Sequence, residues 1–207
     1  MLSKHHIVNW LLDCEHIFTE QRDYLTALDT DIGDGDHGLN MQRGFAKVAE
    51  KLPAVADKDI GQVLKTTGMT LLSSVGGASG PLYGTFFIRA AASTDACQSL
   101  SQLCKMLSDG VEGIVSRGRA EPGDKTMCDA WWPALAALQQ AQQQELPLNE
   151  ALDKAVAAAA AGTEATIQMQ ARKGRASYLG ERSIGHQDAG ATSTLLLLTA
   201  LRDRARL

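Results

Sequence analysis

Asp29-Thr30-Asp31-Ile32-Gly33-Asp34-Gly35-Asp36-His37-Gly38-Leu39-Asn40 puts four carboxylates within eight residues, among three glycines. The segment that follows, 37–52, carries Met41, Phe45, Val48 and Leu52 at helical spacing. So much negative charge in one loop is costly unless a cation sits among it. The glycines let the backbone fold the carboxylates inward. Only oxygen donors are on offer, which points to a hard divalent ion. The helix start directly behind adds an anion site. Metal and anion site together suggest a metal-bound phosphate. An EF-hand fails on register, because it needs Gly at position 6 and Glu at position 12. Frames opening at Asp29, Asp31 or Asp34 put Asp34, Asp36 or Leu39 at position 6 and Asn40, Gln42 or Phe45 at position 12. A plain solvated turn capped by Asp36 accounts for one aspartate and leaves the others unexplained.

The same period extends outward from this joint along most of the chain. It predicts helices over 6–22, 37–52, 58–74, 84–93, 100–116, 129–144, 148–172 and 191–206. There is no convincing alternation of period two. Pro133 falls near the first turn of its helix, where proline costs little. The alanine run 155–161 reads as a tightly packed helix. Glycines gather at 33–38, 76–84, 118–123 and 174–190, each group between two helices. An all-helical scaffold with its unusual residues in glycine-rich joints presents one site from its loops.

The chain has 207 residues, no linker that divides it, and a formal charge of −4. One domain over 1–207 is expected, with enough chain to bury a full core. The acidic balance argues against nucleic acid or an anionic membrane as the main partner. No apolar run approaches the ~20 residues of a membrane span, and Met1-Leu-Ser-Lys-His-His lacks the pattern of a signal peptide. Cys14, Cys97, Cys104 and Cys128 have no CxxC spacing and read as reduced thiols of a cytoplasmic protein.

Three further joints carry chemistry. Ser73-Ser-Val-Gly76-Gly77-Ala78-Ser79-Gly80-Pro81 is a glycine-rich turn before a helix, which exposes N–H groups to a phosphate. It lacks the Gly-Lys-Ser/Thr ending of a Walker loop. Arg117-Gly118-Arg119-Ala-Glu121-Pro-Gly123-Asp124-Lys125-Thr126-Met127 mixes turn and basic residues. Asp124 or Thr126 is placed to cap the next helix, and Met127 to line a slot for a flat ring. The segment 173–190 is long for a connection, and such loops are usually functional or disordered. Its Lys173, Arg175 and Arg182 suit phosphate contact or an acidic partner. His186, a lone loop histidine, is more often a bystander than a general base.

Asp29…Ile-Gly-Asp34-Gly-Asp36-His37-Gly38, the Ser73–Pro81 turn and Gly174-Arg175-Ala-Ser-Tyr-Leu-Gly180-Glu-Arg-Ser-Ile-Gly-His186-Gln-Asp188 closely resemble the nucleotide-binding L subunits of bacterial dihydroxyacetone kinases, in order and nearly end to end. The resemblance implies an all-α, antiparallel eight-helix barrel with the nucleotide held by loops at one end. It implies that Asp29, Asp34 and Asp36 hold two Mg²⁺ ions, with Asp31 not a ligand. It implies nucleotide contacts from His37, Gly38, Leu39, Asn40, Ala78, Ser79, Gly118, Met127, Arg175, Asp188 and Ala189, with Arg175 also catalytic. Ala189 stands where the family has proline.

The implied activity is a phosphotransferase subunit with a tightly bound ADP that cycles with ATP. A phosphohistidine on a partner M subunit would rephosphorylate it, and the phosphoryl group would pass to dihydroxyacetone on a partner K subunit. Two other readings fit the same motifs: a subunit of an ATP-dependent kinase for a small keto-sugar, and a nucleotide-loaded module that binds a transcriptional regulator. A homodimer is also open.

Overall fold

The computed structural model describes residues 1–74 and 76–207. Val75, inside the second glycine-rich joint, lies outside them. Nine α-helices form among the described residues: α1 (Lys4–Glu20), α2 (Arg22–Ile32), α3 (His37–Lys51), α4 (Ile60–Ser74), α5 (Ser79–Ala91), α6 (Leu100–Gly118), α7 (Cys128–Gln143), α8 (Leu148–Ala165) and α9 (Ala189–Ala205). No strand forms among them; the single β-bridge pairs Leu2 with Gln98.

The eight expected helices are all present. The additional one, α2, follows α1 with only Gln21 between them, so the pair acts as one interrupted column. This corrects the sequence reading of the acidic stretch, because Asp29 and Asp31 lie in the last turn of α2 rather than in a loop. Helix α8 also ends earlier than expected, at Ala165 instead of 172. Thr166 opens a short 3-10 turn, and Met169 is already extended (φ −81°, ψ 145°). The long final joint holds a second 3-10 segment, Arg175–Ser183, broken at Gly180.

Packing closes a ring. Helix α1 packs on α3, α3 on α4, and so on through α9, which returns to α1; α2 continues the α1 column and packs on the same two neighbours, α3 and α9. An up-and-down ring with α1 and α2 as one column places alternate joints at the same end. The joints after α2, α4, α6 and α8 are the four glycine-rich ones, so they share one end of the barrel.

The core fills the ring with Trp10, Phe18, Phe45, Phe86, Phe87 and Trp131, all fully buried. Phe86 stacks on Trp131 with ring centres 4.6 Å apart and meets Phe87 edge-on at 5.0 Å. Such pairs add about 1 kcal/mol each beyond burial. The alanine-rich face of α8 (Ala151, Ala155, Ala159) is buried, which brings α7 and α8 backbones close. Gly162 marks the nearest approach: a Cβ there would lie 2.2 Å from the carbonyl of Asp129. No helix of the described residues is long and apolar enough to cross a membrane. All four cysteines are free, with Cys97 exposed.

Candidate active site at the loop end of the barrel

The four joints enclose a cavity of about 410 Å³. Its wall includes Asp29, Asp34 and Asp36 from the first joint, Gly76–Ser79 from the second, Lys125–Met127 from the third, and Lys173–Ala176 with Asp188–Gly190 from the fourth.

The first wall is built around Asp29. Its Oδ2 accepts from the backbone N–H groups of Asp36 (2.8 Å) and His37 (3.1 Å). The last turn of α2 thereby caps the start of α3. Asp36 occupies the N-cap position without making a side-chain cap bond, which leaves its carboxylate free for the cavity. A capping role for Asp36, the plain alternative, is taken by Asp29 instead. Asp34 pairs with Arg175 across the cavity, Nε to Oδ1 2.9 Å. Asp31 does not line the cavity; it lies 3.7 Å from the His186 ring.

Gly38 is needed because α3 crosses α2 almost in contact. A Cβ at 38 would fall 1.8 Å from the carbonyl oxygen of Arg22. Gly38 is buried in that crossing and Leu39 is exposed, and neither lines the cavity, whereas His37 and Asn40 do.

The floor is a polar chain through three helices. His37 Nδ1 meets Ser79 Oγ at 3.0 Å, and Nε2 meets Ser193 Oγ at 2.9 Å. Ser193 continues to the Tyr83 hydroxyl at 2.6 Å, which also meets Thr194 Oγ1 at 2.9 Å. Burial pulls His37 down to about 4, against a smaller opposing effect from Asp36. The imidazole is therefore neutral near pH 7, with one nitrogen donating and the other accepting. Ser79 lies in the first turn of α5 and lines the cavity together with Ala78, which puts that helix start on the cavity wall.

An apolar slot of about 310 Å³ adjoins the cavity, with Ala78, Leu82, Thr126, Met127, Lys173 and Gly174 shared by both. Pro81, Ile114, Arg117, Gly118, Ala120 and Cys128 complete it. Its lining is mostly apolar, which suits a flat ring. Burial pushes the Cys128 thiol up to about 12, so it lines the slot as an inert group.

The third joint is staked by carboxylates. Asp129 accepts from the N–H groups of Gly123 (2.8 Å) and Thr126 (2.9 Å). Asp124 accepts from Glu121 N–H at 2.8 Å, so it holds its own turn rather than the next helix. Thr126 Oγ1 accepts from Cys128 N–H at 3.2 Å, but the N-cap of α7 is Met127, one residue further on, which makes no side-chain cap bond. Asp188 caps α9 through Ala191 N–H at 2.8 Å. Burial raises Asp188 to about 7; Asp129 and Asp29 push the same way, while the Ala191 bond and Lys125 oppose.

Tyr83, Ser193, Asp129 and Lys125 went unassigned in the sequence. Tyr83 falls just before the helix expected over 84–93 and Ser193 inside the one expected over 191–206, where neither carries a local signal. Asp129, at the start of a helix, gave the one usable signal.

Among the described residues, no three His, Cys, Asp or Glu groups converge into a cage for a metal. Mg²⁺ does not require such a cage, since it keeps several waters and takes one or two carboxylates together with substrate phosphates. Asp34 and Asp36 lie on the cavity wall beside the start of α5, and their carboxylate oxygens are hard donors.

A family model for the DAK2 domain matches residues 31–203. The chain is 62% identical over 202 residues to the PEP-dependent dihydroxyacetone kinase ADP-binding subunit DhaL of Escherichia coli (strain K12), covering 97% of this chain and 96% of that protein. It is 37% identical over 182 residues to the Triokinase/FMN cyclase of Homo sapiens, covering 86% of this chain and 31% of that protein. The crystal structure of the C. freundii dihydroxyacetone kinase in complex with AMP-PNP and Mg²⁺ matches with a TM-score of 0.71 and 28% identity. The match covers 95% of this chain, which spans 33% of that kinase. Fold and site thus define an all-helical barrel of the phosphotransferase class. The chain belongs to the DAK2 domain family, within which it groups with the ADP-binding subunits of dihydroxyacetone kinases.

Proposed function

We propose that the chain is the ADP-binding subunit of a PEP-dependent dihydroxyacetone kinase. In this reading it presents a bound ADP for phosphorylation in place by a phosphohistidine of an M subunit. It then presents the new γ-phosphoryl group to dihydroxyacetone held on a K subunit. The observation that carries it is the meeting of four glycine-rich joints around one cavity. That cavity has carboxylates on one wall, a helix start on another and an apolar slot adjoining.

Asp29, Asp34 and Asp36 would hold two Mg²⁺ ions, which supply charge neutralisation on the phosphates when bound. Asp29 orders the loop through its two backbone bonds, while Asp34 and Asp36 offer the carboxylate oxygens nearest the cavity. Ser79 and the start of α5 orient the phosphates, and Ala78, Gly118 and Met127 enclose the base. His37 fixes Ser79 and, with Asn40, forms the floor. Gly38 acts by allowing α3 to approach α2, and Leu39 stands on the exposed side of that turn. Asp188 and Ala189 close the wall at the start of α9. Arg175 balances the charge that builds on the transferring group, since phosphoryl transfer asks mainly for positioning and neutralisation.

The test is to purify the chain without added nucleotide, denature it, and identify what is released. Near-stoichiometric ADP with magnesium is the expected result. A site that is empty and exchanges ATP rapidly would contradict the cofactor role.

A further inference from the structure

The fourth joint carries Arg175 on a loop whose side chains are largely exposed, yet its neck is tightly closed. Gly185 N–H donates to Ile167 O (2.7 Å), Ala171 N–H to Ser183 Oγ (2.9 Å), and Asp188 N–H to Thr166 Oγ1 (3.0 Å). One side chain from another joint enters this neck. Lys125 is 3% exposed, and its ammonium donates to the carbonyls of Thr166, Met169 (3.2 Å) and His186. The first two lie where the loop leaves α8, and the third where it returns toward α9. Lys125 therefore ties both strands of the neck to the third joint.

Two features set Lys125 apart from a phosphate ligand, although it borders the cavity. An ammonium has three N–H donors, and here three carbonyls take them all, so none is left for a phosphate. Its backbone is also left-handed (φ 65°), an unfavourable conformation for a residue with a Cβ. That conformation is held by the Asp129 bonds on either side, and Arg172 N–H adds a bond to Asp124 O at 3.1 Å. Burial lowers the Lys125 pKa, against an opposing pull from Asp188.

We propose that Lys125 is a positioning residue that clamps the neck of the 169–188 loop and so sets where Arg175 reaches the transferring phosphoryl group. The proposal rests on the kinase-subunit reading for its link to activity, but the clamp itself is testable without it.

Lys125→Met keeps most of the unbranched side chain and removes the donors. Amide hydrogen exchange over 170–187 should rise by roughly tenfold or more, with α3 to α6 unchanged. Transfer to dihydroxyacetone in the reconstituted complex should slow, with ADP affinity nearly unchanged. In an Arg175→Ala background the same substitution should cost no further transfer rate. Unchanged exchange over 170–187 overturns the clamp. A loss of ADP affinity as large as the loss of rate, or full additivity with Arg175→Ala, overturns the positioning role. If Lys125→Met does not fold, Lys125→Gln takes its place, since it removes the charge and its amide, one atom short of Nζ, has two N–H groups for three carbonyls. Parent-like protection in that variant also contradicts the proposal. If Arg175→Ala alone leaves transfer intact, the assignment of Arg175 fails while the exchange result still decides the clamp.

Discussion

Single residues at the cavity wall do separable jobs, and substitutions should separate them. Gly38→Ala would drive a methyl into the Arg22 carbonyl, so the α2–α3 crossing must open. Overpacking of this kind costs about 1–3 kcal/mol or more, and thermal melting should show it together with loss of bound ADP. Arg175→Ala should slow transfer by roughly a hundredfold, far more than it weakens ADP retention, because its charge works on the transition state. Equal losses in both measurements would make Arg175 a binding residue. The Arg175–Asp34 pair is largely exposed and contributes little to stability in itself.

His37 gives a pH prediction with a defined sign. Its folded value of about 4 lies below its ordinary 6.5, because burial disfavours the charged ring. The unfolded chain therefore binds the proton first. The stability from keeping His37 neutral is fully present above pH 6.5 and is lost as pH falls towards 4. The amount is roughly 3 kcal/mol. In His37→Gln, the fall in melting temperature between pH 6.5 and 4 should be much shallower than in the parent chain. An unchanged slope would mean that His37 is not the group responsible.

At the scale of elements, caps and crossings decide where helices begin and end. Ser3 and Ser99 each form a reciprocal capping box, with His6 and Gln102 respectively. Glu145, in the short joint between α7 and α8, holds a left-handed backbone (φ 54°) at the end opposite the cavity. Glu145→Gly should relieve about 1 kcal/mol and raise the melting temperature by about 2–4 °C without altering nucleotide binding.

The element scale is also where the sequence was readable and where it was not. Period alone located eight helices, because each buries a stripe at three and four residue spacing. It did not show α2. Among its eleven residues only Leu25 and Ile32 are buried, so almost no apolar stripe exists to detect. The end of α8 escaped for a different reason. Thr166 is a common helix residue in a periodic run, but its hydroxyl donates to Thr163 O and accepts from Asp188 N–H, 22 residues away. A long-range bond of that kind leaves no local pattern. In the site, the acidic and glycine-rich stretches were legible because unusual residues crowd together. The polar chain of His37, Ser193 and Tyr83 was not, since its members come from three helices.

For the whole molecule, the alternating ring explains why four joints far apart in sequence form one site. The ring closes where α9 meets α1, and Arg204 binds Asp13 there through two bonds of 2.7 and 2.8 Å. The glycine-rich joints share an end because each follows an odd-numbered member of the up-and-down ring. The cavity therefore depends on closure as a whole, and bound nucleotide should stabilise the entire barrel in proportion to its affinity. Asp34→Asn should both lose nucleotide and melt lower, and full retention of ADP in that variant would remove Asp34 from the metal site.

The most direct measurement follows the nucleotide on the chain itself. ADP-loaded protein is mixed with the phosphorylated M subunit, in the presence of a nucleotide scavenger, and the bound nucleotide is read by phosphorus NMR. The expected result is conversion of bound ADP to bound ATP without release, and its return to ADP when the K subunit and dihydroxyacetone are added. Conversion only through ADP release and rebinding of free ATP would contradict a cofactor held in place by the loop end of the barrel.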